Sequence, residues 1–154
     1  MTKSSERKVM IAVDGSEYST NAIEWFKNQD FQEGDEIILV HVRPSRVMPS
    51  VRFPQTDQKD SWTLREEQEV LHSKTILEEA TRTFSDSTKV SQTILVGDPR
   101  EELELLIKKL SPTVVIMGST GKTGLKRMIG SVTDYIIHHS ACPVLVYRKP
   151  QPHA

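Results

Sequence analysis

Five short runs of valine and isoleucine, each followed or preceded by a helical pattern, constrain this chain more than any other feature. They fall at residues 9–13, 37–42, 90–96, 114–117 and 143–147. Most are apolar at nearly every position instead of alternating. A strand of that kind is covered on both faces, which is the habit of parallel sheets lying under helices. Between the runs the spacing changes. Asp98-Pro99-Arg100-Glu101 sets a cap, a proline at the first helical position and a glutamate three after the cap. Leu103, Leu106, Ile107 and Leu110 then share one face, and Ser111-Pro112 ends the segment. Ser131 with Asp134 offers a similar start, with Val132, Tyr135, Ile136 and His139 on one side. Residues 19–28 carry Ala22, Ile23 and Phe26 together. Residues 60–84 are long and charged, with Val70, Leu77 and Phe84 at heptad spacing and Leu71 and Ile76 beside them. The seam is too short for a coiled coil and suits one helix lying across a sheet.

The order β-α-β-α-β-α-β-α-β predicts an α/β fold, an open doubly wound parallel sheet with right-handed crossovers and helices on both faces. A length of 154 residues favours one domain, placed at 1–150, with 151–154 as a tail. Residues 43–57, with Pro44, Pro49 and Pro54, form the one long irregular stretch, a length usual for functional loops. A single cysteine excludes an internal disulfide framework. Twenty basic against 21 acidic residues, net charge −1, argue against a nucleic-acid or anionic-membrane binder. No apolar run approaches the ~20 residues a bilayer crossing needs. The first seven residues are polar, unlike the apolar centre of a secretory signal. The expectation is a soluble, cytoplasmic protein.

In doubly wound sheets ligands sit beyond the carboxyl ends of the strands, where strand order reverses. The turn after the fourth run is the informative one. Gly118, Gly121 and Gly124 are three of seven glycines, and Gly130 opens the last helix. Backbone amides at Ser131 and Val132, at the positive end of that helix, suit a phosphate, and Lys122, Lys126 and Arg127 add positive charge nearby. The other reading of this segment is a plain turn with a solvated basic edge. Asp14, after the first run, could bind a ribose hydroxyl, hold a metal through water, or cap the turn with Ser16. The local sequence leaves these open.

Other chemistries fail on spacing. Gly121-Lys122-Thr123 resembles the end of a Walker A loop, but Ile116 stands where its first glycine belongs, and no G-x-G-x-x-G exists. A phosphorelay receiver would want paired acids after the first strand and an acceptor aspartate after the third, where Asp98 already has a capping role. The five histidines show no metal-ligand spacing. Cys142 reads as a small packed residue, not a nucleophile, and no G-x-S-x-G elbow is present. Trp25 and Trp62 read as core or rim packing.

Several segments together resemble the universal stress protein family. They are Val9-Met10-Ile11-Ala12-Val13-Asp14-Gly15-Ser16, Ile38-Leu39-Val40-His41-Val42, Val96-Gly97-Asp98-Pro99, Met117-Gly118-Ser119-Thr120-Gly121, Gly130-Ser131-Val132-Thr133 and Cys142-Pro143-Val144-Leu145-Val146. Nearly the whole chain is covered, residues 43–61 least. Members that bind ATP or a related adenine nucleotide carry G-x2-G-x9-G-[ST]. Here Gly118, Gly121, Gly130 and Ser131 match, with eight residues, 122–129, in place of nine. The resemblance implies five strands in the order 3-2-1-4-5. It implies ATP or AMP as ligand, with Mg2+ as its companion ion. An adenosine pocket would come from Ala12, Val13, Asp14 and Val42. Met117, Gly118, Thr120 and Gly121 would line the ribose and first phosphates, and Gly130, Ser131, Val132 and Thr133 the phosphate tail. No residue is assigned a catalytic role. It further implies a stress-response regulator and a homodimer formed along the edge strand at 143–148. The alternatives are a homodimeric interaction protein with an empty nucleotide site and a slow ATP hydrolase. Nothing in the chain is built for fast phosphoryl transfer, which combines metal, lysine and a positioned nucleophile.

Overall fold

The computed structural model describes residues 6–45, 56–120 and 128–150. Nine elements alternate along them: β1 (Lys8–Ala12), α1 (Glu17–Gln29), β2 (Glu36–Arg43), α2 (Thr56–Thr81), β3 (Lys89–Val96), α3 (Pro99–Leu110), β4 (Val114–Gly118), α4 (Ser131–His139) and β5 (Val144–Tyr147). The strands form one sheet in the order β3-β2-β1-β4-β5, and every pairing is parallel. The fold class and strand order expected from the sequence are those observed.

Two apolar cores explain why the strands are hydrophobic at successive positions. Val9 and Ile11 of β1, Ile37 and Leu39 of β2 and Ile116 of β4 face α1 and α2, meeting Ala22, Ile23, Phe26, Ile76, Leu77 and Ala80. The intervening Met10, Ile38, Val40, Val115 and Met117 face α3 and α4, meeting Leu103, Ile107 and Ile136. Side chains alternate across a strand, so a sheet with helices on both faces needs apolar residues at both parities. The edge strand β3 departs from that rule, with Ser91, Gln92 and Thr93 in its middle and Val96 44% exposed.

Helix starts follow local chemistry. Ser16 caps α1 by accepting from the Ser19 N–H. Asp98 caps α3 with Pro99 in its first turn, and the helix closes at Ser111 in the left-handed conformation, φ 45°. Three expectations need correction. Helix α1 begins at Glu17, earlier than the apolar spacing suggested. Helix α2 ends at Thr81, so Phe84 packs into the core from the turn beyond it, and Leu71 is 65% exposed instead of sharing the buried stripe. Six residues at 100° each set Leu71 some 240° around the helix from Leu77, which is fully buried. In α4 the cap is Gly130, not Ser131, and it makes no side-chain hydrogen bond. The tail at 151–154, the middle of the proline-rich stretch at 46–55, and Gly121, Lys122, Gly124, Lys126 and Arg127 lie outside the described residues, as does the side chain of Trp62.

Candidate functional site

The crossover from β1 through α1 to β2 runs one way along the sheet, and the path from β3 through α3 to β4 runs the other. The reversal falls between β1 and β4. Beyond their carboxyl ends opens a cavity of about 430 Å3. Ala12, Val13, Asp14, Val42, Met117, Gly118, Thr120, Gly130, Ser131, Val132 and Thr133 line it, so the structure brings together every expected nucleotide-site residue that lies among the described residues.

The cavity also takes Ser19, Val40, Pro99, Leu103, Met128 and Ile129, which the sequence reading missed. Val40 could have been found, since it stands two residues before Val42 on the same face of β2. Pro99 and Leu103 are one helical turn apart on α3, so the cap motif that announced the helix also placed a wall of the site.

The lining divides by chemistry. Ala12, Val40, Val42, Met117, Pro99 and Leu103 make an apolar end between β1, β2, β4 and α3. At the other end stands the start of α4. Its first amides have no partner within the helix, and its cap residue, glycine, supplies no oxygen to them. The start of α3 is different. Asp98 accepts from the Arg100 N–H at 2.9 Å, and the Arg100 guanidinium lies 2.8 Å from its other oxygen. The Arg100 side-chain bonds, then the backbone N–H, hold the Asp98 carboxyl down at about 2. One helix start therefore has a carboxylate at its cap, and the other has no side-chain oxygen there, its acidic residue, Asp134, lying further along the first turn.

Asp14 resolves into a turn residue that also lines the site. Its Oδ1 accepts from the Ser16 N–H at 2.9 Å and from the Ser16 hydroxyl at 2.5 Å. Gly15 takes φ 78° between them, the left-handed conformation that glycine adopts freely. The capping role and the lining role coexist in one carboxylate. Thr133 lines the cavity and also has a structural bond. Its hydroxyl donates to the Gly118 carbonyl at 3.0 Å, tying α4 to the end of β4. The Gly130 N–H donates to the Ser119 carbonyl at 2.8 Å, and the Ser119 N–H to the Tyr147 carbonyl at 3.0 Å. Thr133 and Gly130 thus set where the helix start lies, and the first amides of α4 face no side-chain cap.

Gly118 also serves another purpose. A Cβ there would stand 2.7 Å from the Tyr18 carbonyl carbon and 3.0 Å from the Ser19 nitrogen, so this glycine admits the first turn of α1 against β4. Cys142 packs half-buried beside Ser140, and Trp25 stacks on Tyr147 with ring centroids 5.9 Å apart. Among the described residues no group of three His, Cys, Asp or Glu side chains could hold a metal ion. No helix among them is long and apolar enough to cross a membrane.

An open parallel sheet in this order, with a cavity at its reversal point and a glycine-started helix beside it, defines a doubly wound α/β architecture with its cavity where such folds bind ligands. The universal stress protein family model matches residues 6–148, and the chain belongs to that family. It is 32% identical to the universal stress protein PHOS32 of Arabidopsis thaliana over 97% of this chain and 67% of that one. The chain spans about two thirds of the length of its plant relatives. Protein MJ0577 of Methanocaldococcus jannaschii has a solved structure that superposes with a TM-score of 0.78 at 28% identity, covering 95% of this chain and 98% of that one. A universal stress protein family protein of Arabidopsis thaliana, solved with AMP bound, shares the fold at a TM-score of 0.64 and 20% identity, over 94% of this chain and 92% of that one.

Proposed function

We propose that this protein is an adenine-nucleotide-binding regulator of the stress response, taking ATP or AMP in the cavity between β1 and β4. The observation that carries the proposal is the pairing of an apolar end with an uncapped helix start inside one cavity. A purine ring is flat and largely apolar, and fits among Val40, Val42, Met117, Pro99 and Leu103. Phosphate oxygens fit the amides of Ser131, Val132 and Thr133, where the helix dipole favours negative charge. The AMP held by the Arabidopsis relative agrees with this choice of ligand. Mg2+ fits as a companion of the phosphates, which with water usually supply most of its ligands. Asp14 is the carboxylate lining the described part of the cavity, and one of its oxygens is already engaged by Ser16. The role is binding, with at most slow hydrolysis, in the cytoplasm.

Ser131→Pro tests the phosphate site directly. Ser131 is the first residue of α4, where proline is favoured, and Gly130 before it has ψ 152°, the extended conformation a residue preceding proline adopts. The substitution removes one amide donor and leaves the helix intact. Affinity for ATP should fall by ~1.5–3 kcal/mol, the worth of one hydrogen bond to a charged group. Calorimetry on parent and variant reads this, alongside the melting temperature, which should hold steady. Equal affinity in the two proteins would remove the phosphates from α4. A parent that binds neither ATP nor AMP, and carries no nucleotide when purified, would favour an interaction protein with an empty site.

The edge strand β5 supports a homodimer as part of the same proposal. It is last in the sheet, and Val144, Leu145, Val146 and Tyr147 carry no charge. A bare apolar edge invites pairing, and a second copy about a two-fold axis is the simplest partner. Val144→Lys with Val146→Lys should halve the mass seen by light scattering while the circular dichroism spectrum is kept. A folded double variant with the parent's dimeric mass would move the interface elsewhere; a parent already monomeric would remove it.

A further inference from the structure

We infer that His41 is a positioning residue for the cavity, holding the exit of β1 so that Asp14 enters at its observed angle. The inference rests on the nucleotide-binding proposal only for its affinity readout. His41 lies in β2 on the parity of Ile37 and Leu39, facing away from the cavity, and is 8% exposed. Its Nδ1 is 2.7 Å from the Val13 carbonyl oxygen. A carbonyl has no proton to give, so Nδ1 carries the hydrogen and donates.

That bond falls where the β1–β2 ladder stops. The strands pair in register up to Ala12 opposite Val40, and the Val13 N–H still donates to the Val40 carbonyl at 2.8 Å. A parallel ladder would continue from the Val42 N–H to the Val13 carbonyl. Among the described residues that bond is not formed. The carbonyl is taken by the imidazole instead.

The peptide unit from Val13 to Asp14 is planar and trans, so fixing its C=O fixes the opposed N–H of Asp14. That N–H is directed at the Ser19 hydroxyl, 3.4 Å away. Asp14 then turns through Gly15 to Ser16, whose N–H and hydroxyl hold its carboxylate. A buried side chain on the far face of β2 thereby sets the direction of the one segment that carries a carboxylate into the cavity. Both the Nδ1–H tautomer and the imidazolium donate here, so the hold survives a change in histidine protonation.

Three variants test this. Asparagine places an amide N–H near the position of Nδ1, glutamine places it further out, and leucine has no donor. The amide resonances of Asp14 and Gly15 in ligand-free, 15N-labelled protein should shift in His41→Leu and His41→Gln and stay near the parent's in His41→Asn. The dissociation constant for AMP should rise about tenfold in the first two, in keeping with one lost hydrogen bond, and stay within about threefold in His41→Asn. A purely structural role would lower the melting temperature without singling out these two resonances or separating asparagine from glutamine. Asparagine and glutamine behaving alike, or leucine leaving both readouts unchanged, would overturn the inference. If His41→Leu fails to fold, the asparagine–glutamine comparison decides alone. If the parent binds no AMP, the binding proposal fails, and the resonances still decide the role of His41.

Discussion

Arg7→Ala should cost about 3 kcal/mol of folding stability, the lower end of the range for breaking a buried ion pair. The Arg7 guanidinium reaches Asp35 twice, Nε to Oδ1 at 2.9 Å and a terminal nitrogen to Oδ2 at 2.7 Å, and donates to the Asp30 carbonyl at 2.8 Å. The Asp35 side chain is only 1% exposed, against 17% for Arg7. Removing the arginine leaves a buried carboxylate whose remaining donor is the Gln32 N–H at 2.9 Å. The partial exposure of Arg7 lets water reach the gap, hence the lower end. The pair fastens the entry to β1 onto the loop before β2, at the opposite end of the sheet from the cavity, so nucleotide affinity should be unchanged in the folded protein.

The same pair predicts a pH dependence. Burial alone pushes the Asp35 carboxyl up, but the Arg7 side-chain hydrogen bonds, the Gln32 N–H and the Arg7 charge together outweigh it and hold the carboxyl below the ordinary aspartate value of 3.8. A carboxylate whose folded pKa lies below its unfolded one binds its proton more readily in the unfolded chain. Its contribution is complete above that ordinary value and is lost as pH falls through the folded one. Urea midpoints of parent and Arg7→Ala should therefore lie far apart at pH 7 and draw together in strong acid. A gap that stays constant to the lowest pH at which the parent folds would sink this account of the pair.

The fold was legible because its determinants are local or periodic. Met10 and Ile11 point to opposite cores, yet both are apolar, and that alone announces a covered sheet. The Asp98-Pro99 start was legible because capping is chemistry within four residues. What escaped depended on distant partners. Leu71 belongs to a helix whose buried face is set by where α2 crosses the sheet, and heptad spacing does not carry that angle. Ser131 looked like a cap, but Gly130 already occupies the extended conformation of one, its N–H held by Ser119 eleven residues earlier. The hydroxyl of Thr133, spent on the Gly118 carbonyl fifteen residues earlier, was likewise not readable from the local sequence. Pro99 and Leu103 entered the cavity only because α3 packs against β2 and α4, a neighbourhood that no local motif encodes.

Gly118→Val should cost about 3 kcal/mol or more, the upper end of overpacking penalties. The family resemblance put Gly118 beside the ribose and first phosphates, and it does line the cavity. The tighter constraint comes from α1. A Cβ at 118 would meet the Tyr18 carbonyl carbon at 2.7 Å, its oxygen at 2.8 Å and the Ser19 nitrogen at 3.0 Å. These are backbone atoms of a helix, so no rotamer change can relieve the contact and α1 itself must move. Its start is bound to the site, since Ser16 caps it and holds the Asp14 carboxylate, and Ser19 lines the cavity. The two branches of valine add to the methyl that alanine would bring. Urea unfolding should show midpoints in the order parent, Gly118→Ala, Gly118→Val, with an unchanged slope, and AMP affinity should fall in both variants. An alanine variant as stable as the parent but unable to bind nucleotide would mean that the glycine serves the ligand alone. Loss of stability together with loss of affinity is the outcome expected of a residue that lets α1 and β4 close around the site.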